Sequence, residues 1–267
     1  DISADGRFVV FGSRASNLVS NDTNRSHDIF THDMQTGQTI CVSMSSNPEP
    51  VEANSGSYHP SISADGRYVV FDSYANNLAI DDDNSAYDIF IHDTNLGKTS
   101  LLSLRSRNDA NEGNGDSEWP AISADGRYVV FQSMAESLVG DDTQMCTDYY
   151  EEWNCSDIFI HDTVLGDTTL VSVNSAGNKS NKDSGGEVIS ADGRFIAFSS
   201  WGDNLVKDDT NSTGDVFVHD RQPSNIQPPP PTPSPTAGPN PTPTSTVKPP
   251  EFRLMLPIIS AGATNSR

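Results

Sequence analysis

Three stretches of this chain set oxygen-bearing side chains at positions one, three and seven of a short loop: Asp22, Asn24 and Asp28; Asp82, Asn84 and Asp88; Asp209, Asn211 and Asp215. Hard cations such as Ca²⁺ take six to eight oxygen ligands, and alternate residues of a tight loop can aim several at one centre. The stretches are not EF-hands. Only Gly214 stands at position six, and the distal bidentate glutamate is missing, so backbone carbonyls or water would have to complete each site. The same residues have a second use, because Asp and Asn accept backbone N–H bonds in Asx turns and would cap the loop onto the segment that follows. The sequence leaves both uses open.

Other residue types give less. His32, His92, His161 and His219 each follow a Phe by two residues and precede Asp33, Asp93, Asp162 and Asp220. Four histidines, one per repeat, are expected to bond their own segment rather than share an ion. Cys41 lies where other repeats carry Leu101 and Leu170, and reads as a small buried hydrophobe. Cys146 and Cys155 both fall in an insertion of the third repeat; pairing them would staple a ten-residue loop and require an oxidising compartment. That insertion also carries Tyr149, Tyr150 and Trp153, the makings of a partner-binding surface or of a cover for the sheet beneath. No nucleophile elbow, His-Glu-x-x-His or phosphate loop occurs, so no catalytic residue is expected.

The net charge is -21, and residues 222–267 carry +2 of it, leaving -23 on the rest. Such a field repels nucleic acid and anionic lipid and favours cations or basic partners. No run of 18 apolar residues is present to span a bilayer as a helix.

What must position these residues is a repeat. Ile2-Ser3-Ala4-Asp5-Gly6-Arg7 returns at Ile62–Arg67, Ile122–Arg127 and Ile189–Arg194. In the second copy, His59–Ser63 reads as a strand, Ala64-Asp65-Gly66 as a hairpin turn, and Arg67–Ser73, Asp88–Asp93 and Thr99–Leu104 as three further strands. Both alternating positions of the second and third strands are apolar, so both faces of each sheet are expected to be covered by neighbouring sheets. A meander places the first and third turns at one end and the long loops at the other. The four loops joining strands two and three hold 17 of the 37 acidic residues, against only Arg25 and Lys207. The expected fold is all-β: four-stranded antiparallel meander blades of a β-propeller, at about 1–46, 59–106, 119–175 and 187–221, forming part of a six- to eight-bladed ring. The first copy begins inside strand one and the fourth ends without a strand four.

The pattern Ile-Ser-Ala-Asp-Gly-Arg-Tyr-Val-Val-Phe-x-Ser, followed by Asp-Ile-Phe-x-His-Asp-x-x-x-Gly, resembles the TolB-like, WD-like β-propeller repeat of bacterial envelope and secreted proteins, across residues 1–221. The resemblance implies a binding platform of the bacterial envelope; the expected protein is noncatalytic and extracellular or at the cell surface, with the acidic long-loop face as the site for a protein or glycan ligand and the loop carboxylates leaving Ca²⁺ as the one cofactor in view. The alternative is an accessory propeller of a secreted hydrolase whose catalytic domain lies elsewhere. Residues 222–250 hold 12 of the 17 prolines between Pro223 and Pro250, interleaved with Thr and Ser, and read as a disordered, extended stalk. Residues 251–267 form a short segment with an apolar run, Phe252–Ile259, suited to export, anchoring or completion of a blade.

Overall fold

The computed structural model describes residues 1–221, apart from 21, 47–48, 81, 106–111, 141–144, 148–151 and 212. The stalk and the C-terminal segment expected from the sequence lie outside the described residues.

All regular structure here is β. The first blade contains β1 (Phe8–Ser13), β2 (Asp28–Asp33) and β3 (Gln38–Cys41); the second contains β4 (Ser57–Ile62), β5 (Tyr68–Ser73), β6 (Asp88–Asp93) and β7 (Lys98–Leu101). In the third, β8 (Ser117–Ile122) and β9 (Tyr128–Ser133) precede a separate small hairpin, β10 (Met145–Thr147) and β11 (Glu152–Asn154), before β12 (Asp157–Asp162) and β13 (Asp167–Leu170). The fourth holds β14 (Ser184–Ile189), β15 (Phe195–Ser200) and β16 (Asp215–Asp220). Each sheet is an antiparallel meander in chain order, four-stranded in blades two and three and three-stranded in blades one and four. In blade one, a lone bridge from Ile2 to Val9 stands where strand one would run.

The repeated motif explains the turns. Ser63 Oγ donates to Asp65 Oδ1, which also accepts the Arg67 amide, and Gly66 takes a φ of +75° that other residues rarely adopt. The arginine then reaches across to the turn between strands three and four. Arg67 binds both oxygens of Asp93, and Arg7–Asp33, Arg127–Asp162 and Arg194–Asp220 repeat the pair at 2.7 to 2.8 Å. Both tight turns therefore lie at one end.

At the other end the long loops tie together. Asn77 Nδ2 donates to the Glu52 carbonyl and Asn204 Nδ2 to that of Lys179, joining each strand-two-to-three loop to the segment entering its blade.

The core lies between sheets rather than within one. Val10 and Ile29 pack with Val69, Phe71 and Phe90 of the next blade; Val70 and Ile89 pack with Val129, Phe131 and Phe159; Val130 and Ile158 pack with Ile196 and Phe198. Within each blade a Phe from strand two faces a Phe from strand three, with ring centroids 5.8 to 6.0 Å apart. A backbone chain fixes the register between blades: Ala4 N–H donates to Ala64 C=O, Ala64 to Ala124 and Ala124 to Ala191, at 2.9 to 3.0 Å.

Two boundaries differ from the sequence reading by more than one residue. Strand one of the second blade starts at Ser57 rather than His59, because Ser57 donates its N–H to the His27 carbonyl of the preceding blade. Strand four ends at Leu101 rather than Leu104, because Ser103 turns inward to donate to Asp88 and to accept the Ile89 amide.

Candidate functional site

The first strands of blades two to four, β4, β8 and β14, lie beside one another, and each is interrupted by a bulge. At the bulge stand His59, Trp119 and Gly186, with φ of +45°, +58° and +67°. Glycine adopts such angles freely. A histidine and a tryptophan do so at a cost of about 1–3 kcal/mol each, and strain of this kind gathers where a side chain must be re-aimed.

The strain brings unlike groups together. His59 Nδ1 lies 2.7 Å from Asp72 Oδ1, which also accepts the Trp119 amide at 3.2 Å, and the His59 and Trp119 rings stack with centroids 3.5 Å apart. Asp72 is fully buried, and its Oδ2 has no hydrogen-bond partner. The hydrogen bond that His59 donates to Asp72 raises the His59 pKa, and burial raises that of Glu118. Beside these residues opens a cleft of 490 Å³ lined by His59, Pro60, Trp119, Pro120, Gln132 and Glu187. Trp119 is 52% exposed there, whereas Glu187 is 6% exposed with both carboxylate oxygens unpartnered. Burial pushes Glu187 up to about 7; its own amide and that of Gln132 pull back without meeting hydrogen-bond geometry. Among the described residues no hydroxyl or thiol is hydrogen-bonded to the second nitrogen of His59.

The loop residues singled out by spacing divide into two groups. Asn24, Asn84 and Asn211 are already committed: each Oδ1 accepts the amide two residues on, from Ser26, Ala86 and Thr213. Each of the three closes an Asx turn. Asp209 and Asp215 lie in the fourth blade, where Asp209 accepts the Asn211 amide and Asp215 accepts Asn211 Nδ2.

Asp82 and Asp88 instead meet Glu112, a residue the spacing did not reveal, and the carboxylates of the three lie within 4.8 Å of one another. Burial pushes Asp82 up to about 6, and Asp88 and Glu112 up to about 7. In the first blade Asp22, Asp28 and Glu52 hold the corresponding positions. A signal for the glutamates was present: each follows the first Asp of its loop by thirty residues.

Cys146 and Cys155 form a disulfide across the β10–β11 hairpin, with Cα atoms 5.0 Å apart. Tyr149 and Tyr150 and the side chain of Trp153 lie outside the described residues. His32, His92 and His161 each set Nδ1 against a strand-four threonine, Thr39, Thr99 or Thr168, so these imidazoles bond their own blade. Burial lowers His92 to about 4, which keeps it neutral. Cys41 is pushed up to about 11 by burial, so iodoacetamide at pH 8 is expected to leave it unmodified in the native protein and to alkylate it in denaturant, as mass spectrometry would register.

Stacked meander sheets with apolar seams on both faces are β-propeller blades, and the chain is an all-β protein of that class. No protein-family model matches the chain, and no curated protein matches its sequence. Among solved structures it is similar to TolB from Acinetobacter baumannii, with 17% identity over 82% of this chain and 39% of that one and a TM-score of 0.45. It is also similar to the β-propeller domain of the Trilobed protease from Pyrococcus furiosus, at 14% identity over 83% of this chain and 54% of that one (TM-score 0.47). A third is an acylaminoacyl peptidase, at 13% identity over 80% of this chain and 30% of that one (TM-score 0.42). The chain spans less than two thirds of each of these proteins.

Proposed function

We propose that this chain is a noncatalytic binding platform, secreted or displayed at a bacterial cell surface, whose inner-strand cleft receives a positively charged group of a protein ligand. One observation carries the reading: Glu187, almost wholly buried with both oxygens unpartnered, lines a cleft beside the exposed face of Trp119. A buried carboxylate without a partner is costly, and a lysine or arginine side chain supplies both the charge and the N–H donors that it lacks. An aromatic face adds a cation–π contact of about 0.5–2 kcal/mol. The acidic long-loop end would draw a basic ligand toward the molecule before it docks.

Strand-borne sites hold their side chains more firmly than loops do, which suits recognition. The disulfide supports an oxidising compartment. The test is calorimetric titration of the full chain with capped peptides carrying one arginine or lysine, against their neutral counterparts. E187Q is expected to lose at least tenfold in affinity for the cationic peptides, and W119A a similar amount. Unchanged affinity in E187Q would show that peptide binding is diffuse attraction to an acidic protein and would end the proposal.

A further inference from the structure

The first two blades carry a second unexplained feature, at the long-loop end and independent of the cleft. Asp82 comes from the loop between β5 and β6, Asp88 opens β6, and Glu112 enters from the segment leading to the next blade. Their carboxylate oxygens converge within 4.8 Å. Asp88 has no exposed surface; Ser103 satisfies its Oδ1, and its Oδ2 has no partner at all. Three carboxylates this close, one of them fully buried, repel one another strongly unless a positive charge sits among them.

The first blade sets the same residue types at the corresponding positions, without the 4.8 Å convergence of the second. In the first blade Asp22 Oδ1 and Asp28 Oδ2 are both buried without partners, while Glu52 accepts the amide and hydroxyl of Thr23. Glu52 and Glu112 hold the same backbone position, set by the bridges Met44 to Glu52 and Leu104 to Glu112. The third blade has the corresponding bridge from Val173 to Lys179. There the chain places an ammonium-bearing residue at the position where the first two blades place a carboxylate. A built-in cation is the substitution expected where a bound one has been dispensed with.

We infer that the first two blades each hold a Ca²⁺ ion, one between Asp22, Asp28 and Glu52 and one between Asp82, Asp88 and Glu112. All donors are oxygens, and main-chain carbonyls with water complete the six to eight that Ca²⁺ prefers. Each ion would join the loop that opens strand three to the segment entering the next blade, so it fastens neighbouring blades at the end opposite the alanine chain.

The test uses the full chain, stripped with chelator and titrated calorimetrically with CaCl₂. Two ions are expected to bind, with dissociation constants of roughly 10⁻⁴ to 10⁻³ M, as in extracellular modules. E112Q should bind one ion and the E52Q/E112Q variant none, while the circular dichroism of both stays that of a β protein. Glu112 is half-buried, so its amide variant folds even where replacement of the fully buried Asp88 does not. Absence of saturable binding up to about 10 mM CaCl₂, an order above that range, would overturn the inference. So would two ions still bound by the double variant, since the ions would then lie elsewhere.

Discussion

Gly126→Ala is expected to lower the melting temperature by about 4–20 °C, against about 2–8 °C for Gly97→Ala. Both glycines have positive φ, +76° and +60°, so alanine at either carries the same backbone penalty of about 1–2 kcal/mol. They differ in what a methyl group would meet. At Gly97 it would find nothing within 4 Å; at Gly126 it would land on the ring edge of Tyr68, well inside van der Waals contact. Tyr68 belongs to the preceding blade and packs against the seam of Val70, Ile89, Val129 and Phe131, with Arg67 stacked 4.7 Å from its ring centre. It has little freedom to withdraw, and overpacking of this kind costs about 1–3 kcal/mol more. For a folded region of this size each kcal/mol shifts the midpoint by about 2–4 °C. Gly66 against Phe8 and Gly193 against Tyr128 repeat the contact, so the glycine of the motif serves the seam as well as the turn. Equal melting temperatures for the two variants, measured by scanning calorimetry, would mean that the blades are not locked at this turn.

That glycine shows what the sequence disclosed. Ile-Ser-Ala-Asp-Gly-Arg was legible as a hairpin turn because serine, aspartate and glycine act locally, and the apolar runs were legible as two-faced strands because alternation is local as well. The meander then placed the loops. The cleft was not legible, since it depends on bulges in β4, β8 and β14 that no alternation pattern announces, and on backbone angles that only neighbouring blades enforce. Its signal lay in the variable positions of the repeat. His59-Pro60, Trp119-Pro120 and Gly186-Glu187 occupy one place, and Gly12, Asp72, Gln132 and Ser199 occupy the slot between a fixed Phe and a fixed Ser. Where a frame is copied four times, the residues that refuse to repeat are the ones free to specialise. The loop carboxylates were half legible. Spacing singled out Asp82, Asn84 and Asp88, and the Asn84 side chain bonds the Gly113 carbonyl and the Ala86 amide. Glu112 reaches them only because the chain returns to the same loop after completing β7, a contact set by topology rather than by neighbouring sequence.

Glu187 gives the cleft a pH signature that E187Q should remove. Its carboxyl is held at about 7 by burial, against 4.5 when unfolded. A folded pKa raised in this way means that between those values the native chain keeps a proton that the unfolded chain has released. Its contribution to stability is therefore fully present below pH 4.5, declines as pH rises, and is gone above about 7. The size is roughly 3 kcal/mol over the window. His59, Asp72 and Glu118 border the same strands, and the raised pKa of His59 gives a loss in the same direction, so wild type alone would not isolate the glutamate. The difference between wild type and E187Q does, because those groups are common to both. Chemical denaturation at pH 5 and pH 8 should show wild type losing about 2.5 kcal/mol more than E187Q. A parallel decline in the two proteins would mean that Glu187 is solvated in the native state. A cationic peptide should reverse the trend: by supplying the missing charge it binds the ionised carboxylate, so its affinity for wild type should rise from pH 5 to pH 8 while that for E187Q stays level. The proton and the ligand compete for one buried site, and each should displace the other.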